Sequence, residues 1–194
     1  MWRHTLIATR LTIATILLLG LAYPLAITGL AQLLFPRQAN GSLLTRNGRV
    51  IGSALIGQQF ARPQYFHPRP SAAGSGYDAT ASGGSNLGPT SRKLAARVSA
   101  DAAHLTRENP GLHTGRIPAD MITTSASGLD PDIALANAEA QVARVARARG
   151  MSQDEVRRVV RRHIADRQFG ILGEPRVNVL RLNLALDAQE ARER

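Results

Sequence analysis

One stretch constrains this chain more than any other: Leu11 to Phe35, LTIATILLLGLAYPLAITGLAQLLF, without a single Asp, Glu, Lys, Arg or His. As a helix rising about 1.5 Å per residue it reaches roughly 37 Å, enough to cross a hydrocarbon core of about 30 Å with some tilt. Gly20, Pro24 and Gly29 interrupt it. Such residues weaken a soluble helix but are tolerated in lipid, where neighbouring groups satisfy the freed backbone; a kink is expected near Pro24. The run reads as a membrane anchor. A cleaved signal peptide shares the basic flank of Arg3 and Arg10, but its apolar region is typically about 7 to 15 residues and ends at a small-residue cleavage site. A buried helix of a soluble protein is the weaker alternative, because so long a charge-free run is unusual in a short chain. Arginines flank both ends, Arg3 and Arg10 on one side and Arg37, Arg46 and Arg49 on the other, so charge counting leaves the orientation open.

The division expected is a short N-terminus over 1–10, a transmembrane helix over 11–35 and one α+β domain over 36–194, long enough for a core of its own. With no cysteine among 194 residues, there is no disulfide framework, thiolate metal site or cysteine nucleophile. The net charge is +10, carried almost wholly by arginine, Lys93 being the only lysine. Such a surplus points to nucleic acid, anionic lipid or an acidic protein face. Nucleic acid is disfavoured, since aromatics make up 4% of the chain and neither a zinc-finger spacing nor an RNP-like segment occurs.

Within the domain, Leu43–Arg46, Asn47-Gly48 and Arg49–Gly52 form a hairpin signal, because Asn-Gly readily takes the positive φ angles of a two-residue turn; the second strand is free to run on through Ala54-Leu55-Ile56. Phe60 to Pro89 is punctuated by Pro and Gly and reads as a long loop, with Tyr65, Phe66 and Tyr77 to bury. A helix follows, capped by Thr90 or Ser91, with Leu94, Val98, Ala102 and Leu105 inward and Pro110-Gly111 as its stop. A short strand is expected at Asp120–Thr124. Asp130-Pro131 then reads as cap and first residue of a second helix facing inward through Leu135, Val142, Val145 and Ala146 and ending at Gly150. Ser152-Gln153-Asp154-Glu155 is a capping box opening a third helix. There Val156, Val159, Val160, His163 and Ile164 are buried, while Arg157, Arg158, Arg161 and Arg162 form a basic surface that Asp154 and Glu155 are spaced to meet. RVNVLRLNLAL, Arg176 to Leu186, alternates as a strand whose parity switches at Leu180-Arg181, implying a bulge. Asp187 to Arg194 is expected to fray.

No catalytic constellation stands out. Gly83 to Thr90 has P-loop spacing before a helix, but Pro89 occupies the lysine position. Ser82-Gly83-Gly84-Ser85-Asn86 is similar to the Ser-Gly-Gly-Gln of transporter-ATPase signature sequences; glycines shaping a tight loop are the simpler reading. His67, His104, His113 and His163 lack metal-ligand spacing, Asp132 is assigned to the dipole of the second helix, and Thr123–Gly128 is a hydroxyl-rich loop.

Several strings together are unusual: Phe60-Ala61-Arg62-Pro63, Tyr65–Ser71, Ala81–Pro89, Thr123–Pro131, Arg144–Gly150 and Gly173–Leu180. Following an N-terminal anchor and in this order, they closely resemble the C subunit of the bacterial Kdp potassium-transporting ATPase. The resemblance implies an inner-membrane protein with a cytoplasmic N-terminus and a periplasmic domain. It would have no catalysis or cofactor of its own and would assemble with a channel-like potassium-translocating subunit, a P-type ATPase subunit and a small single-helix subunit. It also implies support of assembly and a catalytic-chaperone effect on ATP binding by the ATPase subunit, with Ser82 to Asn86 invoked by analogy to the signature sequence. This chain has Asn86 in the position of its Gln, and the implied topology puts the loop across the membrane from cytoplasmic ATP. Gly20, Pro24 and Gly29 then become places where a membrane partner packs closely. The alternative function is an anchored or secreted basic module for anionic ligands, with the arginine-rich third helix as its surface.

Overall fold

The structure, a computed structural model, describes residues 1–193, and the chain divides into two units, Met1–Ile51 and Gly52–Arg194. In the first, one continuous helix runs from Trp2 to Leu34 with no residue buried. It comprises α1 (Trp2–Thr15), a π-helical stretch over Ile16–Ala22 and α2 (Tyr23–Leu34). A kink is expected at Pro24; the feature found beside it is this π-helical stretch. Proline has no N–H and its ring crowds the carbonyl four residues back, that of Gly20. Widening the preceding turn relieves the crowding, and Tyr23 N–H donates to Leu18 O, five residues back. Phe35, with φ −136°, ends the run, and a single turn, α3 (Pro36–Ala39), follows. The hairpin forms as read: β1 (Leu43–Arg46) and β2 (Arg49–Ser53) are joined by Asn47 and Gly48 at φ 53° and 73°. β2 does not continue to Ile56; Ser53 Oγ accepts from Leu55 N at 3.1 Å and turns the chain.

The second unit contains α4 (Arg92–Glu108), β3 (Asp132–Ala134), α5 (Leu135–Arg149), α6 (Gln153–Arg162), β4 (Ile164–Ala165), β5 (Arg176–Asn178) and α7 (Val179–Glu193). The three strands form an antiparallel sheet in the order β3-β5-β4, with Val177 of the central strand facing both Ile133 and Ile164. Its core joins Ile133 and Val177 to Val142 and Val145 of α5, Val156 and Val160 of α6, Leu182 and Leu186 of α7, and Phe66 from the long loop. The α+β reading holds. Ser91 caps α4, whose inward residues are those expected but of which only Ala102 is buried. Gly150 closes α5 at φ 66°, and Ser152 and Glu155 make the reciprocal capping box of α6. That helix ends at Arg162, so His163 is its C-cap and Ile164 belongs to β4.

Five readings are corrected. The alternation in Arg176–Leu186 is a strand for three residues only. Val179, Leu182 and Leu186 are buried at helical spacings of three and four, so the parity switch marks entry into α7 and no bulge is needed. Asn178 Oδ1 accepts from Arg181 N at 3.1 Å, a side-chain cap that lay unread inside the apparent strand. The segment expected to fray is helical to Glu193; Arg149, its side chain 1% exposed, holds Asp187 and Glu190 at 2.8 and 3.1 Å. Asp130-Pro131 does not begin a helix. Pro131 precedes an edge strand, where a missing N–H is harmless, and α5 begins after Ala134 without a side-chain cap of its own. Asp120 serves α5 instead, its Oδ2 accepting from Ala134 N at 2.8 Å and Asn137 Nδ2 at 3.0 Å. This explains why Asp120 lies in a 3-10 turn, Ala119–Met121, where a strand was expected. Asp132, read as a helix-dipole residue, accepts from Arg176 Nε at 2.9 Å and Asn178 Nδ2 at 3.0 Å.

Candidate functional site

The long loop read at Phe60–Pro89 has no helix or strand, yet its first part is fixed as firmly as a strand. Two side-chain amides treat it as a sheet neighbour would. Asn183 of α7 accepts from Phe66 N at 2.8 Å and donates to Phe66 O at 3.0 Å. Gln141 of α5 does the same for His67, at 2.7 and 3.0 Å. Arg149 Nε donates to Gln64 O at 2.7 Å, its guanidinium lying 5.2 Å from the centre of the Tyr65 ring.

Arg144 of α5, 6% exposed, completes the set. Its Nη1 donates to Pro63 O at 2.7 Å and Tyr65 O at 2.9 Å, its Nε to Asn109 Oδ1 at 3.0 Å and its Nη2 to Gln141 Oε1 at 2.5 Å. No carboxylate pairs with it among the described residues; neutral oxygens solvate the charge. Burial lowers its pKa to about 10, Glu108 opposing, so it stays charged at neutral pH. A lone buried charge is costly unless each N–H is met, and here the long loop supplies two of the acceptors and the Asn109 and Gln141 side chains the others.

Beside this strap lies a cleft of about 290 Å³ lined by His67, Arg69, Tyr77, Asp101, His104 and Glu108, among others. Tyr77 OH donates to Arg69 O, and burial raises its pKa to about 12. Arg69 meets Asp130 Oδ2 at 3.0 Å and Thr124 O at 3.3 Å. Glu108 lies 4.0 Å from His67 Nδ1 and 3.7 Å from His104 Nε2. No group of three His, Asp or Glu suited to a metal occurs among the described residues.

Burial first, then the Arg144 charge, hold His67 below its ordinary pKa of 6.5, while the Arg62 carbonyl and Glu108 oppose. The unfolded chain therefore takes up the proton first. The contribution of neutral His67 is complete above about pH 6.5 and is lost as pH falls through that value towards the lowered folded pKa. The unfolding midpoint is expected to fall between about pH 7 and 5.5, and His67→Gln should flatten that slope; a slope left unaltered by the substitution would acquit His67.

Ser82 to Asn86 does not stand free. Ser82 Oγ and Gly83 N both donate to Ser127 O, at 3.0 and 2.9 Å, and a Cβ at Gly84 would come 3.2 Å from Ala126 O. Asn86 adopts φ 51°. The hydroxyl-rich run Thr123–Gly128 is thus the seat of this loop, a pairing with no local signal in either segment. Ser85 makes no hydrogen bond among the described residues, and Ser91, not the glycine loop, caps α4.

The α6 arginines separate. Arg157 is engaged by Glu139 at 3.2 Å and Asp154 at 3.1 Å, whereas Arg158, Arg161 and Arg162 are exposed without an ion pair among the described residues. Glu155, expected to meet arginine, bonds Ser152 instead; those bonds lower its pKa, with Arg158 the last of the causes. In the first unit, Gly20 and Gly29 lie on the exposed helix. An added Cβ would meet only Ile16 Cγ2 at 3.9 Å for Gly20 and nothing within 4 Å for Gly29.

Together these features define a class: a basic α+β domain carried behind a helix of membrane-spanning length and composition. Comparison with known proteins narrows it. The family model for KdpC, K+-transporting ATPase, c chain, matches residues 5–188. A potassium-transporting ATPase KdpC subunit from Koribacter versatilis is 57% identical over 190 residues, covering 98% of this chain and 97% of the relative. Those from Myxococcus xanthus and Gemmatimonas aurantiaca are 60% and 59% identical, covering 96% and 98% of this chain and 89% and 96% of theirs. The chain belongs to the KdpC family.

Proposed function

We propose that this chain is a non-catalytic accessory subunit of an ATP-driven potassium uptake pump, anchored in the inner membrane by Leu11 to Phe35 with its domain in the periplasm. Its partners in this reading are the channel-like potassium-translocating subunit, the P-type ATPase subunit and the small single-helix subunit, with lipid around the anchor. The observation that carries it is the bare helix. A helix of 33 residues, charge-free from Leu11 onward and with nothing buried, needs lipid or other membrane helices around it. If the topology is right, protease added to intact cells leaves the domain whole and digests it once the outer barrier is opened; protection in both preparations would reverse the orientation.

Assembly is tested in the anchor. Gly20→Leu and Gly29→Leu have room within the chain itself, so insertion and folding should be unchanged while co-purification of the large subunits drops several-fold, because leucine holds a neighbouring helix away. Unchanged co-purification would remove the packing role. The catalytic-chaperone effect on ATP binding is assigned to contact with the ATPase subunit and not to nucleotide held by Ser82–Asn86. Supporting this, the Gly83 N–H that a phosphate would need is already given to Ser127 O. The second reading, a basic module for anionic ligands, rests on unpaired Arg158, Arg161 and Arg162. It requires salt-sensitive polyanion binding with no effect on potassium-dependent ATP hydrolysis.

A further inference from the structure

The loop between β4 and β5 presents its apolar residues outward. Phe169, Ile171 and Leu172 are 85%, 74% and 55% exposed. In the second unit the other exposed large hydrophobic residues, among those described, are Leu55 and Ile56. Three of five therefore sit within four consecutive positions, forming a patch on the order of 300 Å², comparable with the largest that single soluble domains expose.

This tip is built to hold its shape. Gln168 N donates to Leu172 O at 2.8 Å and Leu172 N returns to Gln168 O at 2.9 Å, while Gly170 N meets Arg167 O at 3.0 Å. Phe169 takes φ 55°, a left-handed conformation that is costly for a bulky residue. The strain turns an aromatic ring to solvent with no gain inside the domain. Both ends of the loop run directly into sheet strands.

We infer that Phe169, Ile171 and Leu172 form a preorganised knob that docks into an apolar recess on another subunit of the pump complex. The inference rests on the accessory-subunit reading above and names a surface for it. Charge decides between a protein recess and a bilayer. Arg167 is paired with Glu174 at 2.7 Å and Arg176 with Asp132 at 2.9 Å, and Asp166 precedes them. The loop itself, with Asp166, Arg167 and Glu174 as its charged residues, thus has no unpaired arginine among the described residues, and the unpaired Arg162 and Arg181 lie at its foot beside Arg176; adsorption to anionic lipid draws on unpaired Lys or Arg beside the apolar residues. An apolar centre with a neutral, polar rim is the anatomy of a protein interface, and rigidity before docking limits the ordering cost.

Because the chain has no cysteine, Ile171→Cys and Leu172→Cys each introduce one unique thiol at an exposed position. The full-length chain is prepared alone in detergent and as the complex isolated from cells expressing all subunits. Labelling by a polar maleimide should be at least tenfold slower in the complex and recover on denaturation, and a benzophenone maleimide at the same positions should crosslink to another subunit. Ile171→Glu should lower recovery of the large subunits at least fivefold without moving the unfolding midpoint of the domain. Equal labelling in both preparations, or crosslinks to lipid alone, overturns the knob. If wild-type chain brings down no other subunit, the accessory-subunit reading fails; if it does and labelling is equal, the knob alone fails.

Discussion

Replacing Arg144 with methionine is expected to destabilise the domain by about 3 to 5 kcal/mol, measured as the loss of unfolding free energy in denaturant with the full-length chain in detergent. Methionine fills much of the same volume, so the effect is not a cavity. It comes from orphaned acceptors: Pro63 O, Tyr65 O and Asn109 Oδ1 all lose their donor. Each buried unmet group costs about 1 to 3 kcal/mol, partly offset because the charge no longer has to be desolvated. Lysine does not rescue, since a single ammonium cannot span acceptors set around a planar fork. A loss below about 1 kcal/mol would mean that water replaces the guanidinium, and the strap would then not depend on it.

Gly128→Ala is the second large effect, expected at about 2 to 4 kcal/mol. Gly128 has φ 65°, and a Cβ there would lie 2.6 Å from Ala73 N and 2.7 Å from Gly83 O, both backbone atoms. The left-handed conformation alone costs alanine about 1 to 2 kcal/mol, and overpacking against backbone adds about as much again. The residue cannot rotate away, because Ser71 Oγ donates to its carbonyl at 2.6 Å and its N–H meets Ser125 Oγ at 2.9 Å. Gly83→Ala is the contrasting case, with nothing within 4 Å of the added carbon and no positive φ; it should change stability by less than about 0.5 kcal/mol. If Gly83→Ala nevertheless weakened ATP binding by the assembled pump, direct nucleotide contact by this loop would be restored.

Whatever depends on one local pattern could be read without coordinates. The Asn-Gly hairpin, the Ser152–Glu155 box, the Gly150 cap and the inward face of α4 each need only neighbours within a turn or two of chain, and each is found as read. α7 misled because its strand-like alternation and its helical seam coexist in the same eleven residues. Only the sheet decides how much is strand: β5 ends at Asn178, where the antiparallel partner β3 begins at Asp132. Asp120 misled for a similar reason, being a cap supplied from another segment, which leaves no mark beside the helix it serves. The candidate site was legible in its members and not in its arrangement. Ser82–Gly84 and Ser125–Gly128 each stand out locally, but that one seats the other is a contact across 45 residues.

By itself, the sequence determined that a charge-free run of membrane-spanning length precedes one basic α+β domain, and its long ordered strings carry the family resemblance. These are properties of composition and local periodicity, which survive in one dimension. The tertiary structure alone decided that a proline-rich loop is held like a strand by Gln141, Arg144, Arg149 and Asn183. Those polar residues, three of them on one helix, give no hydrophobic period to read. Their role exists only because burial makes every unmet backbone group expensive, and burial is a property of the folded chain.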